Sequence, residues 1–278
     1  MRYSFNTFNH STYYGLPPTL PQQIDAAASA GYDLIGLDVL SVLAHERAGL
    51  STRDLAALLK HHGLPCYELV SLSISADQAS TLHSLEQVLR MATVLRPSQV
   101  LCVVTGGIDD AVVANTTECA RSLAEERIGL SLEFLPTRHV DSIPEALRLL
   151  DRVAHPNLRL VVESWHFFRG PSTWVDLAAL PLDRVGFVQF ADAPEPISDD
   201  VHHESMHRRV LPGRGVLDLD RFCATLLAKG YDGVDGVDGV VSVELLSEAW
   251  RTADLREFAD ATLASSRSVW ESAAMRFG

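Results

Sequence analysis

The sequence alternates eight short apolar runs with longer amphipathic segments, and this alternation limits the folds that the chain can adopt. The runs have the length and the Val, Leu and Ile content of buried strands. Most of them begin about 30 residues apart, which leaves room for one strand, one helix and two loops. The runs begin near Tyr3, Asp33, Pro65, Ser98, Ile128, Leu158, Val185 and Gly239.

The segments between these runs carry the usual start and stop signals of helices. Ser51 and Ser142 stand at N-cap positions, and Gly31, Gly63 and Gly230 follow the last turns. The segment 172–180 gives the weakest prediction, because it is short and is followed by proline. The predicted helices are 20–30, 51–62, 79–95, 109–127, 142–154, 172–180, 218–229 and 252–272.

Eight strands that alternate with helices predict a parallel sheet with helical crossovers. This number and spacing of units favour an α/β chain folded as a single (β/α)8 TIM barrel over an open sheet. No low-complexity linker divides the chain, so we expect one domain over residues 1–278. A GVD repeat within 230–244 is predicted to be a local insertion at the bottom of the barrel.

Composition excludes several classes of partner. The net charge of -13 disfavours a nucleic-acid or anionic-membrane surface, since both require clustered Lys and Arg. The N-terminus lacks an apolar signal core, and no run reaches the length of a membrane helix. The four cysteines form no CxxC pair and are expected to be reduced. We therefore expect a cytoplasmic protein whose partner is a small molecule.

Four polar residues stand where the last four strands end. Glu133, Glu163, Gln189 and Glu244 each close an apolar run. A charged residue at such a position must be solvated, paired or bound to a metal. Three carboxylates and one amide oxygen that converge on one point would suit a divalent cation. The alternative is that each glutamate is paired with Arg or Lys.

The segment ESWHFFR places His166 three residues after Glu163. If the strand ends at Glu163 and the chain turns over the rim, both side chains can face the pocket. His166 could then transfer protons together with Glu133 and Glu244, and the aromatic Trp165 could contact the substrate. A structural role for the histidine is the alternative. Asp192 could either orient His166 or cap the following loop.

The longest connection, at about 191–217, is predicted to be a lid or binding loop. Its Arg208, Arg209 and Arg214 could bind an oxyanion or a carboxylate over the barrel mouth, and a solvated loop is the alternative. Its HHxxxH pattern has no context that fixes a metal geometry. After the first strand, Asn6 and His10 could contact substrate hydroxyls, although a capping or loop role is the simpler interpretation.

Taken together, the segments LSLEF, ESWHFFR, VQFADAP, RRVLPGRGVLDLDRF and VSVELL resemble the xylose-isomerase-like superfamily of barrels. This superfamily includes sugar phosphate isomerases and epimerases, hydroxypyruvate isomerases and 3-dehydroshikimate dehydratases, and it is related to AP endonucleases of the endonuclease IV type. The resemblance implies one divalent Mn, Mg, Co or Zn ion. Its ligands by position are Glu133, Glu163, Gln189 and Glu244, while His166 and Arg209 match the histidine and the lid arginine of the family.

Two positions depart from the family pattern. The ligand at Glu163 is normally aspartate, and the extra methylene moves the carboxylate by about 1.5 Å. Gln189 is found in only part of the family and resembles the hydroxypyruvate isomerase and dehydroshikimate dehydratase branches. The endonuclease branch has many more His and Asp ligands, so nuclease activity is rejected.

The expected function is a metal-dependent isomerase or epimerase of a small polyhydroxylated carbonyl compound. A lyase similar to 3-dehydroshikimate dehydratase is the main alternative, and a non-catalytic metabolite-binding barrel is a further one. No GxGxxG, GxxxxGK[ST], GxSxG or HExxH motif points to another enzyme class. Related barrels often form dimers or tetramers, so a homo-oligomer is an open expectation.

Overall fold

The eight apolar runs form the eight strands of a closed parallel barrel in a computed structural model that describes residues 1–232 and 239–277. Each strand pairs with the next along the chain, and β8 pairs with β1 to close the sheet. The (β/α)8 prediction is therefore confirmed. The strands are β1 Arg2–Asn6, β2 Leu34–Asp38, β3 Cys66–Ile74, β4 Gln99–Val104, β5 Gly129–Glu133, β6 Leu158–Glu163, β7 Val185–Phe190 and β8 Val240–Val243.

Helices surround this barrel, and their buried faces pack against the outside of the sheet. The predicted helices are all present, with ends that differ from the prediction by a few residues. The helices are α1 Leu20–Ala30, α2 Val39–Arg47, α3 Thr52–His62, α4 Gln78–Leu95, α5 Asp110–Glu125, α6 Ile143–Val153, α7 Ser164–Arg169, α8 Trp174–Ala179, α9 Val201–His207, α10 Leu219–Leu227 and α11 Leu255–Phe277.

Two of the helices that the sequence patterns did not predict begin immediately after a strand. Asp38 is the last residue of β2 and also the N-cap of α2, since its carboxylate accepts hydrogen bonds from the backbone N–H groups of Leu40 and Ser41. Glu163 ends β6 and caps α7 in the same way. Strand and helix therefore share a residue at each junction, and no loop separates them.

The barrel interior contains a buried carboxyl group below the rim. Glu68 on β3 is fully buried and accepts hydrogen bonds from the hydroxyls of Ser4 and Ser242, at 3.0 and 2.5 Å. Gly36 on β2 makes room for it, since a Cβ atom there would lie 2.3 Å from Glu68 Oε1. Burial raises the pKa of Glu68 to about 7, although the two hydroxyl donors oppose the shift.

Residues 191–217, which we call the lid segment, connect β7 to α10 and contain α9. Asp192 holds this segment together, because its carboxylate accepts hydrogen bonds from the backbone N–H groups of Ala193, Gly213, Gly215 and Leu217 at 2.8–3.2 Å. Gly215 is required for this approach, since a Cβ atom would lie 2.3 Å from Asp192 Oδ1. The capping interpretation of Asp192 is thus the one that its contacts favour.

Within residues 1–232 and 239–277, no helix is both long and apolar enough to cross a membrane. Both copies of the GVD repeat, residues 233–238, lie outside the described residues, and so does the insertion expected there.

Candidate active site

The carboxyl ends of β5 to β8 bring the four predicted residues to one end of the barrel. Glu133 and Glu163 end β5 and β6, Gln189 lies in β7, and Glu244 directly follows β8. The register aligns Glu163 with Gln189, and the backbone N–H of Glu244 donates to Phe190 O at 3.2 Å. All four side chains are buried or nearly so.

Arg209 of the lid segment enters the centre of this group. Its Nη1 donates to Glu163 Oε1 and Glu244 Oε2, both at 3.3 Å, and to Glu244 O at 3.1 Å. Its Nε donates to Ser205 O at 2.9 Å. Burial alone would lower the pKa of Arg209, but Glu163, Glu244 and Glu133 together raise it. The guanidinium is therefore held by hydrogen bonds and ion pairs within the site.

His166 lies beside Glu133. Its Nε2 is 3.3 Å from Glu133 Oε1 and 3.4 Å from Glu163 Oε2, and α7 holds the ring in place. Burial lowers the pKa of His166 to about 4, so the imidazole is neutral at pH 7. Its Nδ1 is buried and has no partner among the described residues.

Two of the carboxyl groups titrate near neutral pH. Burial raises the pKa of Glu133 to about 7 and that of Glu244 to about 8, while Arg209 opposes both shifts. Carboxyl groups with such pKa values can serve as either acid or base at physiological pH. Asn6 supports this arrangement, since its Nδ2 donates to Glu244 Oε1 at 3.2 Å.

Gln189 presents an unpaired acceptor. Its Nε2 donates to Glu244 Oε1 at 3.3 Å, which leaves its Oε1 buried and without a partner among the described residues. An unsatisfied buried carbonyl costs about 1–3 kcal/mol, so such an atom normally meets water, an ion or a ligand.

The donor chemistry of the site fits a divalent cation. When ionised, Glu133, Glu163 and Glu244 carry three negative charges against the single positive charge of Arg209, a sum of −2. Gln189 Oε1 adds a free oxygen acceptor. The side chains are nevertheless gathered around Arg209, and no three His, Cys, Asp or Glu side chains of the described chain are grouped closely enough to hold a metal. A cation would compete with Arg209 for Glu163 and Glu244.

Above these residues lies a pocket of about 420 Å³. Its floor includes Glu133, His166, Arg209 and Glu244. Its walls are mainly apolar and come from the barrel rim and the lid segment; they include Phe8, Tyr13, Leu40, Leu43, Val103, Leu135, Trp165, Met206 and Leu246. The pocket has the size of a small-molecule site, and polar side chains outside the floor also line it, among them Asp38, Ser73, Gln87 and His202.

The remaining predicted site residues lie at different depths. Trp165 lines the pocket, and its ring centroid is 5.6 Å from the guanidinium carbon of Arg209. Asn6 is buried behind Glu244. His10 is buried with its Nε2 3.2 Å from Trp250 O, and Arg214 is exposed. Neither His10 nor Arg214 belongs to the pocket wall that the described residues form.

Sequence patterns missed most of the pocket wall. Wall residues such as Leu40 and Val103 have no feature that distinguishes them from core residues. Arg138 could have been found, because it follows the end of β5 by five residues, in a loop at the functional end of the barrel.

Two enzymes resemble the chain in sequence, and a solved structure resembles it in fold. A 3-dehydroshikimate dehydratase of Pseudomonas putida is 27% identical over 252 residues, which covers 87% of this chain and 38% of that enzyme. An inosose isomerase of Halalkalibacterium halodurans is 27% identical over 132 residues, which covers 46% of this chain and 43% of that protein. The chain thus spans less than half of either relative. The IolI protein with a bound zinc atom shares the fold, with a TM-score of 0.84, 20% identity and 98% coverage of both chains.

The family model for a xylose isomerase-like TIM barrel matches residues 24–260. The match begins within α1, ends within α11 and includes every residue of the pocket floor. It confirms the family resemblance that the strand-end motifs predict. The chain belongs to the xylose isomerase-like TIM barrel family.

Proposed function

We propose that the chain is a lyase that removes water from a small hydroxylated carbonyl compound of the 3-dehydroshikimate class. One observation carries the proposal: Glu133 and Glu244, whose pKa values burial raises to about 7 and about 8, lie on the floor of one pocket, and the neutral imidazole of His166 lies beside Glu133. The long match to 3-dehydroshikimate dehydratase supports this substrate class, although the chain covers 38% of that relative.

In this mechanism Glu133 is the base. Its ionised carboxylate takes a proton from the carbon next to the substrate carbonyl, and the C–H electron pair forms the new C=C bond. Neutral His166, with Nε2 3.3 Å from Glu133 Oε1, keeps the carboxylate oriented towards the pocket.

Glu244 is the corresponding acid. Its raised pKa keeps a large fraction protonated at neutral pH, so it can give its proton to the departing hydroxyl, which leaves as water. Asn6 and Arg209 hold the two oxygens of this carboxyl group in place. A divalent cation, when bound, would polarise the substrate carbonyl as a Lewis acid. Glu163 and Gln189 would hold it throughout, and Glu133 and Glu244 would contribute only while they are ionised.

Isomerisation or epimerisation is the second candidate. The same two carboxyl groups could return the proton to a neighbouring carbon or to the opposite face instead of expelling a hydroxyl. The similarity to an inosose isomerase over 46% of the chain supports this outcome.

An ultraviolet assay on 3-dehydroshikimate tests the proposal, since loss of one water gives the aromatic 3,4-dihydroxybenzoate. We expect turnover that falls at least about a hundredfold in Glu133→Gln and in Glu244→Gln, because each change removes a proton-transfer group. Glu125→Gln, on the exposed surface of α5, is the matched control.

Turnover that survives both pocket substitutions would disprove the assigned roles. No aromatic product, combined with proton exchange into an inosose or a ketose, would favour the isomerase. Neither reaction, with or without added Mn²⁺, would leave the non-catalytic barrel as the explanation.

A further inference from the structure

The pocket has a second arginine, Arg138, at its mouth. It lies in the loop of residues 134–141, which follows β5 and which we call the β5 rim loop. Its side chain is exposed, and its guanidinium has no hydrogen bond or ion pair with any described residue. The other arginine of the pocket wall, Arg209, is buried and engaged by Glu163, Glu244 and Ser205.

The β5 rim loop holds Arg138 at a fixed place. Leu135 N donates to Val140 O at 2.9 Å, and Arg138 N donates to Leu135 O at 2.8 Å, so the loop closes on itself. Both ends are anchored, since Phe134 and Val140 are buried. Gly170 at the end of α7 makes room for the loop, because a Cβ atom there would lie 3.0 Å from Asp141 O.

Charge fixes the direction in which an anionic substrate can enter. On the floor, the guanidinium of Arg209 is already paired with Glu163 and Glu244, so the described floor residues offer an incoming anion no unpaired cation. The rest of the described lining is mainly apolar, and its polar side chains, such as those of Ser73, Gln87 and His202, include no Lys or Arg apart from Arg138. Arg138 is therefore the arginine of the described lining whose charge is unpaired, and it is the place that favours an anionic group.

We propose that Arg138 binds the carboxylate of a ring-shaped substrate and thereby turns the opposite edge of the ring towards the floor. This assignment rests on the proposed function for the choice of a carboxylated ring. Arg138 would determine substrate specificity, although it lies outside the strand-end residues that would hold the cation. A guanidinium suits this role because its paired N–H groups match the two oxygens of a carboxylate.

Binding of two ring compounds tests this role without any need for turnover. The probes are 3,4-dihydroxybenzoate and 1,2-dihydroxybenzene, which differ only in the carboxylate, titrated by calorimetry in one Mn²⁺-containing buffer. We expect wild-type protein to prefer the carboxylate by about fivefold, as for a partly exposed arginine pair. Arg138→Met should abolish the preference and leave the affinity for 1,2-dihydroxybenzene unchanged.

Arg214→Met is the matched control, since Arg214 is an exposed arginine of the lid segment outside the pocket wall. It should keep the full preference. A preference that persists in Arg138→Met, or one that is absent from the wild type, would overturn the assignment.

This experiment separates the two proposals. Loss of the preference in Arg138→Met without any dehydration by the wild type would refute the dehydratase and keep the carboxylate site. Dehydration by the wild type with an unchanged preference in Arg138→Met would refute the carboxylate site and keep the dehydratase.

Discussion

Glu68 shows how a single side chain can make stability depend on pH. The carboxyl group is fully buried in the barrel, where the hydroxyls of Ser4 and Ser242 donate to it, and burial raises its pKa from 4.5 to about 7. Below pH 4.5 the group is protonated in both the folded and the unfolded chain. Between pH 4.5 and 7 the unfolded chain releases the proton first, so stability is lost as the pH rises.

We predict that Glu68→Gln removes this loss. Relative to wild type, the variant should gain about 3 kcal/mol in the free energy of unfolding between pH 4.5 and 8, the upper value that the pKa shift allows. Urea denaturation of both proteins across this range measures the difference. Glu125→Gln should follow the wild-type curve, and a constant difference between Glu68→Gln and wild type would show that Glu68 does not titrate there.

At the scale of elements, the lid segment depends on one carboxylate. Asp192 accepts hydrogen bonds from the backbone N–H groups of four residues of the segment, which links its two ends. Each hydrogen bond contributes about 1 kcal/mol, and more when a charge takes part. A separate backbone bond lies next to Arg209, since Val210 N donates to the backbone carbonyl oxygen of Asp192 at 2.9 Å.

We predict that Asp192→Ala loosens the lid segment while the barrel stays folded. Limited proteolysis should cut within residues 191–217 at least about tenfold faster than in wild type, with an unchanged far-ultraviolet circular dichroism spectrum. Asp199→Ala changes an exposed aspartate of the same segment and should be cut at the wild-type rate. Equal cleavage of Asp192→Ala and wild type would contradict the anchoring role.

Some strands and helices could be predicted from the sequence, and others could not. Alternation of apolar runs and glycine stops located the strands and the long helices, because each signal is local. The helix α2 was missed because Asp38 ends a strand and caps a helix at once, which leaves no turn residue to mark the boundary. The helix α9 was missed because its sequence, VHHESMH, is too short and too polar to show a helical period.

At the scale of the whole molecule, the barrel brings together site residues that are far apart in the chain. The strand-end positions of Glu133, Glu163, Gln189 and Glu244 could be predicted, since parallel strands end on one side of the sheet. The central place of Arg209 could not, because it depends on how a long connection folds back over the mouth. The pocket walls likewise depend on packing between elements that no local pattern encodes.

The melting temperature of the protein can show whether the proposed cation binds. A ligand that binds only the folded state raises Tm, so Mn²⁺ should raise the Tm of the wild-type protein and EDTA should reverse the rise. Gln189→Leu removes the unpaired Oε1, so we expect its Tm without metal to stay near that of wild type and the Mn²⁺ shift to shrink by at least half. Arg214→Gln should keep the full shift. A full shift in Gln189→Leu would exclude Gln189 as a ligand.

The shared residue at the junction of β6 and α7 has a consequence for how such a barrel can diverge. Glu163 is both the last strand residue and the helix cap, so one residue inserted after it would rotate His166 by about 100° around the helix axis. Lineages of this barrel should therefore keep the chain length constant at this junction. New substrates can instead be accommodated by side-chain substitutions in the lid segment and in the β5 rim loop, while the proton-transfer groups stay in place.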